Sequence, residues 1–76
     1  MHFNEDEYAR RLLRKHPNLL PNEIELCLFL KKNLASKEIA SITYRSVNTI
    51  KVARSKLRNK LKIEADDNLV NYLIKI

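Results

Sequence analysis

Ser46-Val-Asn-Thr-Ile-Lys-Val-Ala-Arg-Ser-Lys-Leu-Arg-Asn-Lys-Leu61 separates into two faces when it is wound as a helix. Ile50, Ala53, Leu57 and Leu61 recur at helical spacing on one side, which predicts a core face. At about 100° per residue, Asn48, Val52, Ser55 and Asn59 fall on the opposite side, with Lys51, Lys56 and Arg58 at its flanks. No acidic residue stands between Glu38 and Glu64, whereas Arg45, Lys51, Arg54, Lys56, Arg58, Lys60 and Lys62 all do. Small polar groups and one apolar side chain at the centre of a helix face, with cations at its edges, suit a DNA major groove. The centre reaches base edges and the edges reach phosphates. Taken singly, Lys56, Arg58 and Lys60 are equally what an ordinary solvated face carries.

Immediately upstream, Ile39, Ala40 and Ile42 mark a short helix at about 36–42. Thr43-Tyr44-Arg45 make a turn, and Ser46 caps the long helix at 46–61. A short helix, a brief turn and a long basic helix form a helix-turn-helix, whose second helix enters the major groove while the first braces it across the backbone. Before it, Pro21 at a first helical position opens a helix at about 21–32 with Glu23 in its first turn. Ile24, Cys27, Leu28 and Lys31 form one row there and Leu26, Phe29 and Leu30 another, so this helix is apolar over a wide arc and belongs in the middle of the domain. Asn33 suits the left-handed conformation that ends helices. At the front, a helix at about 5–15 is expected, capped by Asn4, with Glu5, Asp6 and Glu7 complementing its dipole. Tyr8 and Leu12 share a face there, and His16-Pro17 ends it. A final helix at about 66–75 has Asp66 and Asp67 at its start and carries Leu69, Val70, Leu73 and Ile74.

The expected fold is therefore all-α: a small helical bundle containing a helix-turn-helix, with an extra N-terminal helix. Residues 1–18 form that helix and a linker, and 19–76 the main domain. The expected core is Ile24, Cys27, Leu28, Leu30, Ile39, Ala40, Ile50, Ala53, Leu57, Leu61, Leu69 and Leu73.

With 76 residues and a net charge of +6, the chain holds one small domain, dependent on tight helix packing or a partner. The absence of glycine and the presence of only two prolines argue against hairpin-rich sheets and Gly-rich phosphate loops. A single cysteine, Cys27, excludes an internal disulfide, fits a reducing cytoplasm, and reads as core filler. No apolar run approaches the roughly 20 residues that span a bilayer, and with Asn4-Glu5-Asp6-Glu7 directly after the start no signal peptide is expected. His2 and His16 lack companions at ligand spacing, so no metal or cofactor is expected. No Ser-His-Asp or paired-carboxylate arrangement marks an enzyme. The positive balance favours a polyanionic partner.

Ser36-Lys-Glu-Ile-Ala40 followed by residues 46–61 resembles the C-terminal DNA-binding domain of LuxR/GerE-type (NarL/FixJ-type) bacterial transcription regulators, over roughly residues 19–74. The resemblance implies a four-helix helix-turn-helix domain that binds double-stranded DNA, often pairs through its last helix, and usually follows a sensing or receiver domain. Residue by residue, it places Lys51, Val52 and Ser55 in the groove, joined by Asn48 from the helix face. It places Arg54, Lys37, Ser46 and Thr49 beside phosphates, and the helix edges add Lys56 and Arg58. It suggests a weak homodimer through Val70, Leu73 and Ile74.

The chain departs from the family pattern at several points. Leu20 replaces a capping threonine, Ala35 a capping serine, Ala53 a histidine and Lys62 a glycine. Thr43-Tyr44-Arg45 replaces Leu-Gly-Ile, so either Tyr44 carries positive φ at a cost of about 1 kcal/mol or more, or the turn is rebuilt. Two other classes stay open. One is a promoter-recognition module like region 4 of a sigma factor, docking on RNA polymerase. The other is a helical protein-interaction module without specific DNA binding.

Overall fold

Residues 3–64 and 68–76 are described in the computed structural model, with side chains from residue 7 onward. They form five helices: α1 (Phe3–Lys15), α2 (Pro21–Lys31), α3 (Ser36–Thr43), α4 (Val47–Leu61) and α5 (Leu69–Ile74). No strand occurs among the described residues. α2 packs against α1, α4 and α5, and α3 packs against α4, so the widely apolar helix is the central one.

The helix ends follow local chemistry. α1 is already helical at Phe3, so Asn4 lies inside its first turn and is not the expected cap. Pro21 opens α2. Leu20 has no side-chain acceptor, but Glu23 Oε1 accepts from the Leu20 N–H at 2.7 Å, which supplies half of a capping box. Ala35 and Glu38 repeat this arrangement at α3, again at 2.7 Å. Ser46 precedes α4 as its cap, with Oγ accepting from the Thr49 N–H at 3.0 Å. Asn68 caps α5 in the same way, through Oδ1 and the Asn71 N–H at 3.0 Å. The expected start of this last helix at Asp66 and Asp67 lies outside the described residues.

Among the described residues, three non-glycine residues take positive φ: Asn33 (63°), Tyr44 (56°) and Lys62 (59°). Each follows a helix and closes it with backbone bonds back to the last turn. The turn after α3 is therefore not rebuilt. Tyr44 adopts the left-handed conformation itself, at a cost of roughly 1–2 kcal/mol, and the N–H groups of Tyr44 and Arg45 both reach the Ala40 carbonyl.

The core contains Tyr8, Leu12, Leu19, Leu26, Cys27, Leu30, Ile39, Ala40, Ile50, Leu57, Leu61, Leu69 and Leu73. Ile24, Leu28 and Ala53, expected inside, are only half-buried against it. On α2 the side facing inward is centred on Leu26, Cys27 and Leu30, because α1, α4 and α5 approach from that direction.

α1 is tied to α5 across the whole length of the chain. The Tyr8 hydroxyl donates to the Leu73 carbonyl at 2.6 Å, Arg11 Nε donates to the Ile76 carbonyl at 3.0 Å, and His16 Nε2 lies 2.6 Å from the Tyr72 hydroxyl. Burial pushes the Tyr8 phenol up to about 12. Burial likewise pushes the Cys27 thiol up to about 12, so the thiol stays protonated and unreactive.

Candidate nucleic-acid interface

α4 owes its position to its two faces. Ile50, Leu57 and Leu61 are buried and fix the helix against the core. On the far side Asn48, Lys51, Val52, Ser55, Lys56 and Asn59 are all exposed. The four residues expected to read bases therefore share one outward strip, with Val52 45% exposed as its apolar element. α4 contains no acidic residue, and no carboxylate interrupts the strip.

The residues expected at phosphates divide into two kinds. Lys37, in the first turn of α3, and Lys56 are exposed. Arg54 is half-buried, and its Nη1 donates to Ser36 Oγ at 3.2 Å, which ties α4 to the start of α3. Arg58 is half-buried, with Nη1 donating to the Glu64 carbonyl at 3.1 Å. Ser46 and Thr49 are exposed, but their hydroxyls lie 2.8 Å from each other. Their first role is to cap α4, leaving the Val47 and Asn48 N–H groups without intrahelical carbonyls.

Lys60 has a structural role. Its Nζ lies 2.8 Å from Glu23 Oε1, linking the last turn of α4 to the first turn of α2. Burial acts to raise the Glu23 carboxyl, but the Leu20 N–H and the Lys60 ammonium outweigh it and hold the group below its ordinary value.

A groove of about 360 Å³ runs beside the strip. Thr43 and Arg45 from the turn, Asn48, Val52 and Lys56 from α4, and Glu25 and Phe29 from α2 line it. Arg45 and Tyr44 lie in the turn before Ser46, outside the helical period that separates the faces of α4, and Tyr44 stands where the pattern that the chain resembles has glycine.

For the expected dimer contacts, the structure corrects one assignment. Leu73 is fully buried in the core of its own chain, and so offers no surface to a partner. Val70 is half-buried against the core, and Ile74 is 53% exposed.

Among the described residues no group of three His, Cys, Asp or Glu side chains is placed to hold a metal ion, and no helix is long and apolar enough to cross a membrane. Comparison with protein-family models, with curated proteins and with solved structures returns no match, so the reading of this surface rests on its own residues.

Proposed function

We propose that this chain is a sequence-specific double-stranded DNA-binding domain of a transcription regulator, reading the major groove with α4. The observation that carries it is the outward strip of Asn48, Lys51, Val52 and Ser55, on a helix without carboxylates whose opposite face is locked into the core. The strip combines amide and hydroxyl hydrogen-bonding groups, a cation and an isolated apolar side chain suited to a thymine methyl. α3 braces α4 through the Arg54–Ser36 bond, as the first helix of a helix-turn-helix does.

The resemblance of residues 36–61 to the LuxR/GerE class supports the same reading. On that basis the domain works on chromosomal DNA in the bacterial cytoplasm, as the effector end of a regulator, and pairs weakly through Ile74 and the edge of Val70. RNA polymerase is a further partner that the sigma-like alternative would require, and copurification with polymerase separates the two.

Selection of bound fragments from randomised duplexes, followed by salt titration, tests the proposal. With three or four cationic phosphate contacts, drawn from Lys37, Arg54, Lys56 and Arg58, the logarithm of affinity falls against log salt with a slope of about −3 to −4. No enriched sequence and no salt dependence would overturn the proposal in favour of a protein-interaction module.

A further inference from the structure

Tyr44 is 97% exposed and holds φ at 56°. The two facts together are unusual. A left-handed residue carrying a Cβ is strained, and large side chains ordinarily offset such strain by packing. Tyr44 contributes nothing to the core. Of the other two positive-φ residues, Asn33 belongs to a type that tolerates this region, and Lys62 lies at the C-terminal end of α4, where a cation complements the helix dipole. Neither explanation covers an aromatic ring in water. Strain maintained without a folding return points to function.

The surroundings indicate what the ring meets. Thr43 and Arg45, on either side of Tyr44, line the same groove as Asn48 and Val52. The turn therefore borders the outward strip of α4. Arg45, the next residue in sequence, is exposed, Ile42 is 52% and Val47 37% exposed, and no acidic residue lies within positions 39–63 of the sequence. An exposed aromatic ring with a phenol donor, next in sequence to an exposed guanidinium, matches the sugar-phosphate backbone, which presents apolar deoxyribose faces beside anionic oxygens. An acidic surface would repel it. The carboxylates that line the groove, Glu23 and Glu25, come from α2 and not from the turn or α4.

We propose that Tyr44 is a DNA-backbone contact, its ring lying against a deoxyribose and its hydroxyl donating to a phosphate that Arg45 also approaches, at the edge of the site read by α4. The inference rests on the DNA-binding reading of α4 and adds a residue that fixes where the helix sits along the duplex. Backbone contacts set register and orientation and carry no sequence information.

The test measures melting temperature together with affinity for a selected site and for a random duplex, in wild type, Tyr44→Gly, Tyr44→Asn, Tyr44→Phe and Val52→Ala. Glycine and asparagine suit the left-handed position, so both variants melt no lower than wild type. Their affinity falls by about tenfold, in the same proportion for both duplexes, whereas Tyr44→Phe loses about threefold through the missing hydrogen bond. Stability held while affinity drops is not the behaviour of a folding residue. Unchanged affinity in Tyr44→Gly, with Val52→Ala still impaired on the selected site, overturns the Tyr44 contact and leaves the α4 reading standing. The same follows if both variants melt well below wild type, because the ring then serves the fold. If wild type binds neither duplex, both readings fall.

Discussion

Leu57 is 1% exposed, at the middle of the buried face of α4, so truncating it leaves a cavity under the helix that carries the proposed site. Leu57→Ala is expected to cost roughly 2–5 kcal/mol, a large share of what a domain of this size has. Thermal melting followed by circular dichroism checks it, and a negligible shift would mean the wrong face is assigned to the core. His16 supplies a pH signature. Burial, aided by the Lys15 charge, lowers its pKa below the ordinary 6.5. Below that value the unfolded chain takes up a proton that the folded one resists, so stability is full above about pH 6.5 and is lost as pH falls toward the folded pKa. Melts between pH 8 and 5 should show this slope in wild type and a shallower one in His16→Gln. Single residues were also where the sequence said least. Leu19 lies outside any periodic run, and on α2 a wide apolar arc made Ile24 and Leu28 look as suited to the core as Leu26. Only the directions from which α1, α4 and α5 approach decide between them.

The helices themselves were largely readable, because their ends are written in short-range chemistry. Pro21 opens α2, Ser46 caps α4, and Asn33 takes the left-handed position that closes α2. The outward strip of α4 was equally readable, since period and charge alone separate its faces. What pattern could not supply is which cations are already engaged. Lys60 turns inward to Glu23, and Arg54 reaches Ser36, and both depend on where α2 and α3 lie. Arg54→Ala is accordingly expected to weaken selected and random duplexes alike, because in the proposed binding mode it removes a backbone contact rather than a base contact, together with the bond to α3. Fluorescence anisotropy on both duplexes checks this. A loss confined to the selected site would place Arg54 among the base-reading groups instead. Lys60→Ala should lower stability by on the order of 1 kcal/mol, with little change in affinity at equal folded fraction.

At the scale of the whole molecule, α1 joins the same core as the helix-turn-helix, through Tyr8, Leu12 and the bonds to Leu73 and Ile76. Those bonds span 65 positions, and nothing in the local pattern of residues 3–15 announces them. The burial of Leu73 narrows the proposed self-association to Ile74 and the edge of Val70. Sedimentation at high concentration should show weak dimers of wild type that Ile74→Glu abolishes without unfolding the domain, since Ile74 is half-exposed. Operators would then be two related half-sites about one helical turn apart. A strictly monomeric chain, with and without its site, would remove that interface. The central claim, that the outward face of α4 reads base edges, is tested most directly by the ratio of affinities for a selected and a random duplex, measured at one salt concentration for wild type, Val52→Ala and Lys51→Ala. The ratio should fall by about fivefold or more in each variant, the equivalent of roughly 1 kcal/mol of lost discrimination, with binding to the random duplex much less affected. A ratio unchanged in both, whatever the absolute affinities do, would contradict the claim and leave the basic face as a non-specific one.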